Sequence, residues 1–420
     1  MLDRTVAPPI NFDPTINKLE YSTHILSSDI PVYYIQDNQQ SVVGIEIVFG
    51  GAKLHEVSNG ASYFSTQLLK SGINNLDANA LNEFFELRGA FVQIQNGLDS
   101  NSFNLYCLSE KLNEVLPLFL KLFKEPVFPQ YQIDKLKKKK GQEIDINEQK
   151  TNYWASKLVK ESLFGNHAYG QILSKEDINS LTRSCINDHW NTLSLPSVDM
   201  ITIAGSFNIN QIIDIFEPSF HTHNQVSDSE KNVINSTLPK FNTKELINSN
   251  QSSLKIGMQS IKLTHKDYPT FSLSNTILGG YFGSRLMQSI REDKGLTYGI
   301  NSSLVHLQES SYLVISADLK KGAGKEVINL INTELDKLSN QKISEDELIK
   351  VKNYIISKYK SETETVFDKI NKVKFLKSNK LSDTFFTSFH KTLLESDSSS
   401  INTVVKNLIN TDNFHTVIVE

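Results

Sequence analysis

Two patterns of apolar and polar positions alternate along the first half of the chain. Residues 41–49 are rich in β-branched side chains with partial alternation, which predicts a strand. Residues 112–123 place apolar side chains at helical spacing, and Pro126 and Pro129 end that helix. A long polar helix is predicted over residues 132–149. The first half therefore combines strands with amphipathic helices.

The second half repeats this order of elements. Residues 254–259 predict a strand, and residues 296–304 and 312–317 predict a hairpin. An amphipathic helix over residues 324–338 precedes a polar helix over residues 345–360. The sequence thus predicts the same succession of elements twice.

A local similarity supports this duplication. The segment NEVLPLFLKLF, which begins at Asn113, is similar to KEVINLINTEL, which begins at Lys325, and a lysine-rich helix follows each. A repeat of this length implies two related α+β domains and not a solenoid. We place the domains at residues 1–220 and 251–420, with the polar residues 221–250 as the linker.

Composition excludes several classes of protein. Of the 420 residues 21% are charged, and the formal net charge is −4, which argues against a nucleic-acid binder that depends on bulk charge. No run of 18 apolar residues exists, so we expect no membrane span. The N-terminal segment lacks the apolar region of a secretory signal, which predicts a cytoplasmic protein; a periplasmic location stays open if a signal peptide has been removed. Cys107 and Cys185 are too few for a thiolate zinc site.

One stretch of the second half, residues 274–303, carries the strongest candidate chemistry. Gly279, Gly280 and Gly283 interrupt an apolar run, and we expect them to allow positive φ and a sharp turn. Gly295 is a natural residue to end the helix that follows, and residues 296–305 then predict a strand.

Two polar residues bracket this helix–strand joint. Arg291 stands on the predicted helix and Tyr298 on the predicted strand, seven residues apart. The pair is compatible with a plain surface arginine and strand tyrosine. It also matches a family motif.

The stretch GGYFGSRLMQSIREDKGLTYGINSS resembles the second-domain signature of the M16 (pitrilysin/insulinase) metallopeptidase family, in particular its short M16B branch. The resemblance implies that Arg291 and Tyr298 are the family's R/Y pair, which grips the backbone of a bound peptide. It also implies an α+β fold of the LuxS/MPP-like metallohydrolase type. In that fold two similar domains, each a mainly antiparallel sheet with helices on one face, form a clamshell.

The family's zinc motif is replaced in this chain. Catalytic members carry H-x-x-E-H on a helix, and the matching segment here, GASYFSTQLLKSG, has Tyr63, Thr66 and Gln67 at the motif positions. A phenol and an amide are poor zinc ligands, and a threonine hydroxyl cannot act as a general base near neutral pH. Glu143 falls at the distance of the third ligand, where it is either a remnant of the site or an ordinary solvated glutamate. We expect no metal in this chain.

The histidines do not replace the missing motif. His221 and His223 are two residues apart in a polar segment, which favours a chance surface pair. His167 lies in GNHAYG, which resembles a mostly structural loop of the family, and His55 has no partner four residues away.

These features favour the non-catalytic subunit of a heterodimeric zinc peptidase. Its partner would be an M16B chain with an intact H-x-x-E-H motif that holds the zinc, and the substrate a peptide or unfolded protein. The alternative is a structural or peptide-binding scaffold with no role in proteolysis. An active zinc peptidase formed by this chain itself is the third hypothesis, which zinc analysis would test.

Overall fold

The structure, a computed structural model, describes residues 13–220, 240–247 and 249–420. The predicted linker residues 221–239, with His221 and His223, therefore lie outside the described residues.

The described residues form thirteen strands and fourteen α-helices. The strands are β1 Ser22–Ile25, β2 Pro31–Gln36, β3 Val42–Phe49, β4 Gly72–Ile73, β5 Leu76–Asp77, β6 Phe91–Asn96, β7 Asn101–Leu108, β8 Val198–Gly205, β9 Phe241–Lys244, β10 Gln251–Gln259, β11 Thr297–His306, β12 Ser311–Lys320 and β13 His415–Val419. The helices are α1 Ala61–Gln67, α2 Ala78–Glu86, α3 Leu112–Lys124, α4 Gln130–Glu148, α5 Thr151–Phe164, α6 Lys175–Ser180, α7 Arg183–His189, α8 Ile209–Phe216, α9 Tyr268–Asn275, α10 Gly324–Asn340, α11 Glu345–Ser361, α12 Val366–Ser378, α13 Phe385–Glu395 and α14 Ser398–Leu408.

The two large sheets share a five-strand topology, to which the first sheet adds the edge strand β1. The first sheet has the order β1-β2-β8-β3-β7-β6 and the second the order β9-β13-β10-β12-β11. In each sheet one pair is parallel, β2 with β8 and β9 with β13, and the other pairs are antiparallel. The predicted pair of similar, mainly antiparallel α+β units is confirmed.

Alternation along each central strand divides the side chains between two faces. In β10, Leu254 and Ile256 enter the apolar core formed with α9, α10 and α14, whereas Gly257 lies on the other face. In β3, Ile45 and Ile47 enter the core of the first half, and Gly44 lies on the other face. Each half thus buries one sheet face under its own helices.

The remaining face of each sheet receives a helix from the opposite half of the chain. Helix α5 packs on β10 and β13 of the second sheet, and helix α12 packs on β2 and β8 of the first. A glycine permits each approach. A Cβ on Gly257 would lie 2.7 Å from Leu163 Cδ1, and one on Gly44 would lie 3.2 Å from Phe367 Cε1. The sequence had predicted neither α5 nor α12.

A second contact joins the loops of the two halves. Tyr169 donates its hydroxyl hydrogen bond to Asp99, whose Oδ2 accepts the Gln308 backbone N–H at 3.0 Å. His167 Nε2 lies 2.9 Å from Glu309 Oε2. His167, whose loop was expected to be mostly structural, therefore joins the first half to the β11–β12 turn.

The structure corrects one boundary. Residues 241–244, assigned to the linker from their polar composition, form β9 and pair in parallel with β13. Four residues, FNTK, are too few to carry a strand pattern, so the sheet edge decides their conformation. The domain limits otherwise remain a prediction.

Within the described ranges, no helix is both long enough and apolar enough to span a membrane.

The ion pair between Glu46 of β3 and Lys374 of α12 leads to a prediction about stability. Glu46 is only 7% exposed, and Lys374 Nζ lies 2.8 Å from its Oε1 and 2.9 Å from its Oε2. We expect Lys374→Met to lower the free energy of unfolding by about 3 kcal/mol, because it leaves a buried carboxylate without its counter-charge. Urea denaturation followed by circular dichroism measures the change.

Lys372 on the same helix is the matched control, because the side chain of its partner Glu362 is 45% exposed, against 8% for Glu46. Lys372→Met should cost less than about 1 kcal/mol. Equal losses in the two variants would contradict the prediction.

Candidate functional site

The helix at the zinc-motif positions is capped by a glutamate from the preceding turn. Glu56 Oε2 accepts the backbone N–H groups of Gly60 at 3.0 Å and Ser62 at 3.2 Å. Gly60 has φ +93°, a conformation that glycine adopts without strain. Helix α1 therefore has a defined start, and its motif positions have fixed directions.

A neutral hydrogen-bond network occupies two of the motif positions. Thr66 is fully buried, and its hydroxyl donates to the Ser62 carbonyl at 2.8 Å. The Asn96 side chain donates to the Thr66 hydroxyl and accepts from Gln67 Nε2 at 2.6 Å. Asn96, at the end of β6, thus joins the helix to the edge of the first sheet through uncharged groups.

Lys140 contacts the two remaining positions, Tyr63 and Glu143. Lys140 Nζ lies 3.0 Å from Glu143 Oε1 and 4.7 Å from the centre of the Tyr63 ring. Burial raises the pKa of the Tyr63 phenol, and the nearby Glu143 carboxylate raises it further. Glu143 therefore lies close to the motif helix, as a remnant of the family's third ligand would, but an ammonium group accompanies it.

These residues do not fit a zinc ion. Tyr63 remains a neutral phenol at neutral pH, and Gln67, whose Nε2 donates to Asn96, offers only a neutral amide oxygen, a poor zinc ligand. Lys140 also places a positive charge beside the one carboxylate, which opposes a divalent cation by Coulomb repulsion. In the described segments, no three His, Cys, Asp or Glu side chains come together as a possible metal site.

In the second half, the glycine-bearing stretch packs tightly against β11. Asn275 Nδ2 donates to the Ser302 carbonyl at 3.1 Å, and the Ser302 hydroxyl donates to Asn275 Oδ1 at 2.5 Å. A Cβ on Gly279 would lie 2.8 Å from the Ser302 backbone nitrogen. At the other end of the loop, Arg285 donates two 2.8 Å hydrogen bonds to the Glu347 carboxylate on α11. The loop is therefore anchored at both ends.

The expected positive φ at three glycines of this stretch is wrong. Gly279, Gly280 and Gly283 all lie outside the left-handed region. Gly279 is required because the helix backbone approaches the strand, and Gly283 lies against the Tyr281 ring. Gly295, in contrast, has φ +59° and ends the helical segment as predicted.

The geometry brings Arg291 and Tyr298 together. Arg291 is in the last turn of the helical segment Met287–Glu292, and both side chains line one cavity of about 450 Å³. The Arg291 guanidinium lies 4.8 Å from the centre of the Phe282 ring, and its Nε is 3.5 Å from Glu292 Oε1.

A β-bulge explains the exposure of Tyr298. Thr297 pairs with Leu319 and Gly299 with Asp318, so Tyr298 between them has no partner on β12 and is 88% exposed. The Thr297 hydroxyl holds the bulge, because it donates to the Asp318 carbonyl at 2.6 Å and accepts the Gly299 N–H at 3.0 Å.

The cavity wall also includes Asp318, an acidic residue that sequence reasoning missed. Its carboxylate accepts from Ser253 at 2.5 Å and from Asn152, at the start of α5, at 3.3 Å. These partners lie 65 and 166 positions away in sequence, so no local motif could identify them.

Comparison with known proteins places this geometry in a family. Residues 32–177 match the family described as Insulinase (Peptidase family M16), and residues 181–355 match the Peptidase M16 inactive domain. The chain belongs to the M16 family. This M16 chain contains no H-x-x-E-H sequence, and the assignment of Arg291 and Tyr298 to the family's R/Y pair stays a prediction.

Individual M16 relatives are distant in sequence and close in fold. The chain is 24% identical to the uncharacterized zinc protease YmxG of Bacillus subtilis, covering 76% of this chain and 78% of that protein. It is 22% identical to the non-peptidase homolog YmxG of Helicobacter pylori, covering 83% and 82%. The crystal structure of a peptidase M16 inactive domain from Pseudomonas fluorescens superposes with a TM-score of 0.86 at 20% identity, covering 96% and 98%. The M16 clamshell fold is therefore established.

The side chains at the zinc-motif positions lead to a prediction about the metal content of the purified chain. We expect the purified chain to hold less than about a tenth of an equivalent of zinc, because its motif positions offer no imidazole or thiolate. Elemental analysis measures the metal, and a chelator should leave the melting temperature unchanged. An H-x-x-E-H protein of the family prepared in parallel is the control. Stoichiometric zinc in this chain would contradict the assignment.

A second prediction concerns the packing of the glycine stretch. Gly279→Ala should lower the free energy of unfolding by about 1–3 kcal/mol, because the new methyl group meets the β11 backbone. At the neighbouring Gly280 the nearest atom is a Thr276 side-chain carbon at 3.3 Å. Gly280→Ala is therefore the control and should stay within about 1 kcal/mol of the parent. Urea denaturation distinguishes the two, and equal effects would be the contrary result.

Proposed function

We propose that this chain is the non-catalytic subunit of a heterodimeric M16B zinc peptidase. In this proposal the chain contributes substrate binding through Arg291 and Tyr298, and a partner with an intact H-x-x-E-H helix contributes the zinc and the general base. The observation that carries the proposal is the contrast between the two halves. Arg291 and Tyr298 line one cavity of about 450 Å³, while neutral hydrogen bonds and a lysine occupy the zinc-motif positions.

The position of the pair supports binding of an extended peptide. Strand β11 is the outermost strand of the second sheet, so one of its sides has no neighbouring strand among the described residues. A peptide can add to such an edge through main-chain hydrogen bonds. Tyr298 sits on this edge strand, and Arg291 reaches the same cavity from the preceding helical segment.

The chemistry of the pair suits the recognition of a peptide backbone. The arginine guanidinium offers several N–H donors and the tyrosine hydroxyl offers one, and peptide carbonyls are acceptors. In an assembled pair, the same donors would stabilise negative charge that develops on the carbonyl oxygen of the bond being cleaved. The substrate would be a peptide or an unfolded segment, because only an extended chain can pair with a strand.

The second candidate is a scaffold with no role in proteolysis. The relative described as a non-peptidase homolog favours this reading. The two hypotheses differ in whether Arg291 and Tyr298 affect peptide cleavage by an assembled pair. They also differ in whether the chain recruits an H-x-x-E-H partner on co-expression.

Kinetics of the reconstituted pair test the proposal. We expect Arg291→Ala to lower kcat/KM on a quenched fluorescent peptide by about 10- to 100-fold, the loss of one charge-assisted hydrogen bond. Tyr298→Phe should lower it by about three- to tenfold, because it removes a neutral hydrogen bond. The pair is made by co-expression with an H-x-x-E-H protein from the same genome.

Lys294→Ala is the matched control, since Lys294 is exposed on the turn between the two residues. It should leave kcat/KM unchanged, and all three variants should keep the parent melting temperature. Full activity in both Arg291→Ala and Tyr298→Phe would refute the catalytic partnership and favour the scaffold.

A further inference from the structure

Phe282 presents an aromatic ring on the turn of the glycine-bearing stretch. The side chain is 70% exposed, so burial contributes little to its place in the fold. Its backbone is nevertheless held on both sides. The preceding Tyr281 packs on Tyr354 of α11, with 5.0 Å between the ring centres, and Arg285, three residues on, is bonded to Glu347 of the same helix. The turn therefore fixes where the exposed ring stands.

The Phe282 ring contacts the guanidinium of Arg291. The guanidinium carbon Cζ lies over the ring, 4.8 Å from its centre, which is within the range of a cation–π contact. Among the described residues, the one carboxylate at ion-pair distance is that of Glu292, whose Oε1 lies 3.5 Å from Nε. That distance is long for a charge-assisted hydrogen bond. Phe282 is therefore the side chain that gives the guanidinium a defined place.

A second arginine of the same stretch provides a contrast. Arg285 donates from Nε and Nη2 to the two carboxylate oxygens of Glu347, each at 2.8 Å, so these donors are already used within the chain. A phenylalanine ring offers no oxygen or nitrogen acceptor to a guanidinium. Contact with Phe282 therefore holds Arg291 by its charge and leaves its N–H donors for a ligand.

The ring stands beside the cavity and not in its wall. Arg291 and Tyr298 line the cavity of about 450 Å³, whereas Phe282 is not among the described residues that line it. An effect of the ring on a ligand in the cavity must therefore act through Arg291. An unrestrained arginine side chain has many rotamers and loses that freedom when it binds a ligand, which weakens binding. A guanidinium that is already held loses less.

We propose that Phe282 is a positioning residue for Arg291. The ring holds the guanidinium at the cavity before a peptide binds, and it leaves the N–H donors for the peptide carbonyls. The inference rests on the proposed function and adds a residue to the binding machinery. It gives the exposed aromatic of the glycine-bearing stretch a role that the sequence analysis did not assign.

Nuclear magnetic resonance of the whole chain, labelled at its arginines, tests the contact in solution. Protons over an aromatic ring resonate upfield because of the ring current. The side-chain signals of Arg291, identified by their loss in Arg291→Ala, should therefore be shifted upfield in the parent. In Phe282→Leu they should return to the positions typical of a solvated arginine. Signals that do not move would show that the ring does not hold the guanidinium and would overturn the proposal.

Kinetics of the reconstituted pair test the role of the contact. We expect Phe282→Leu to lower kcat/KM on the quenched fluorescent peptide by about two- to fivefold, the loss of an exposed cation–π contact. Phe282→Tyr should retain the parent value, because its ring offers the same face to the cation. In the Arg291→Ala background Phe282→Leu should have no further effect, since the group that the ring holds is absent. Losses that multiply independently would overturn the proposal.

Fluorinated phenylalanines at position 282 separate positioning from direct contact with the peptide. Ring fluorines withdraw electron density from the ring face and weaken a cation–π contact, but they keep the shape of the ring and make it more apolar. With one, two and three fluorines, kcat/KM should fall stepwise toward the value of Phe282→Leu. An unchanged or rising kcat/KM would indicate an apolar contact with the peptide and would overturn the proposal.

Phe241→Leu is the matched control. Phe241 is also an exposed phenylalanine of the second half, but it stands on β9, at the opposite edge of the sheet from β11. It should leave kcat/KM unchanged, and both leucine variants should keep the parent melting temperature. If Arg291→Ala lowers kcat/KM and Phe282→Leu does not, the positioning role is wrong and the proposed function stands. If Arg291→Ala has no effect, the proposed function is wrong and the positioning role fails with it.

Discussion

Each half of the chain packs one of its helices on the sheet of the other half, and the structure depends on this exchange. Helix α5 closes the open face of the second sheet and α12 closes that of the first, so neither half is complete alone. A sheet with one bare apolar face is unstable in water, and burial of that face is the main favourable term in folding. The exchange therefore makes the two halves one cooperative structure, and the Glu46–Lys374 ion pair fixes the α12 side of it.

The same exchange positions the candidate site. Helix α5 follows directly after α4, which carries Lys140 and Glu143 beside the motif helix. Its first turn then contacts the wall of the Arg291 cavity through Asn152 and Asp318. One helical corner thus connects the predicted zinc-motif positions in the first half with the cavity lined by Arg291 and Tyr298 in the second.

Other side chains neutralise or hydrogen-bond the groups that stand at the predicted zinc-motif positions. A lone carboxylate beside a helix that lacks its metal would repel neighbouring acids, and Lys140 neutralises Glu143 there. A buried hydroxyl and a half-buried amide would cost free energy if unpaired, and Asn96 satisfies both. The first half therefore has a helix–sheet contact whose polar groups are satisfied at the predicted zinc-motif positions. The second half retains an anchored loop, a bulged edge strand and a cavity.

Sequence alone determined the fold class, the duplication, the spacing of Arg291 and Tyr298 and the absence of zinc ligands at Tyr63, Thr66 and Gln67. Each depends on residue type and near spacing, which a linear pattern records. Only the tertiary structure decided the crossing of α5 and α12, the pairing of Lys140 with Glu143 beside Tyr63, the bulge at Tyr298 and the role of Asp318. It also assigned Gly279 to close packing, where the sequence suggested a turn. Glu46 and Lys374 are 328 residues apart, and such contacts leave no local pattern because the folded chain alone brings the groups together.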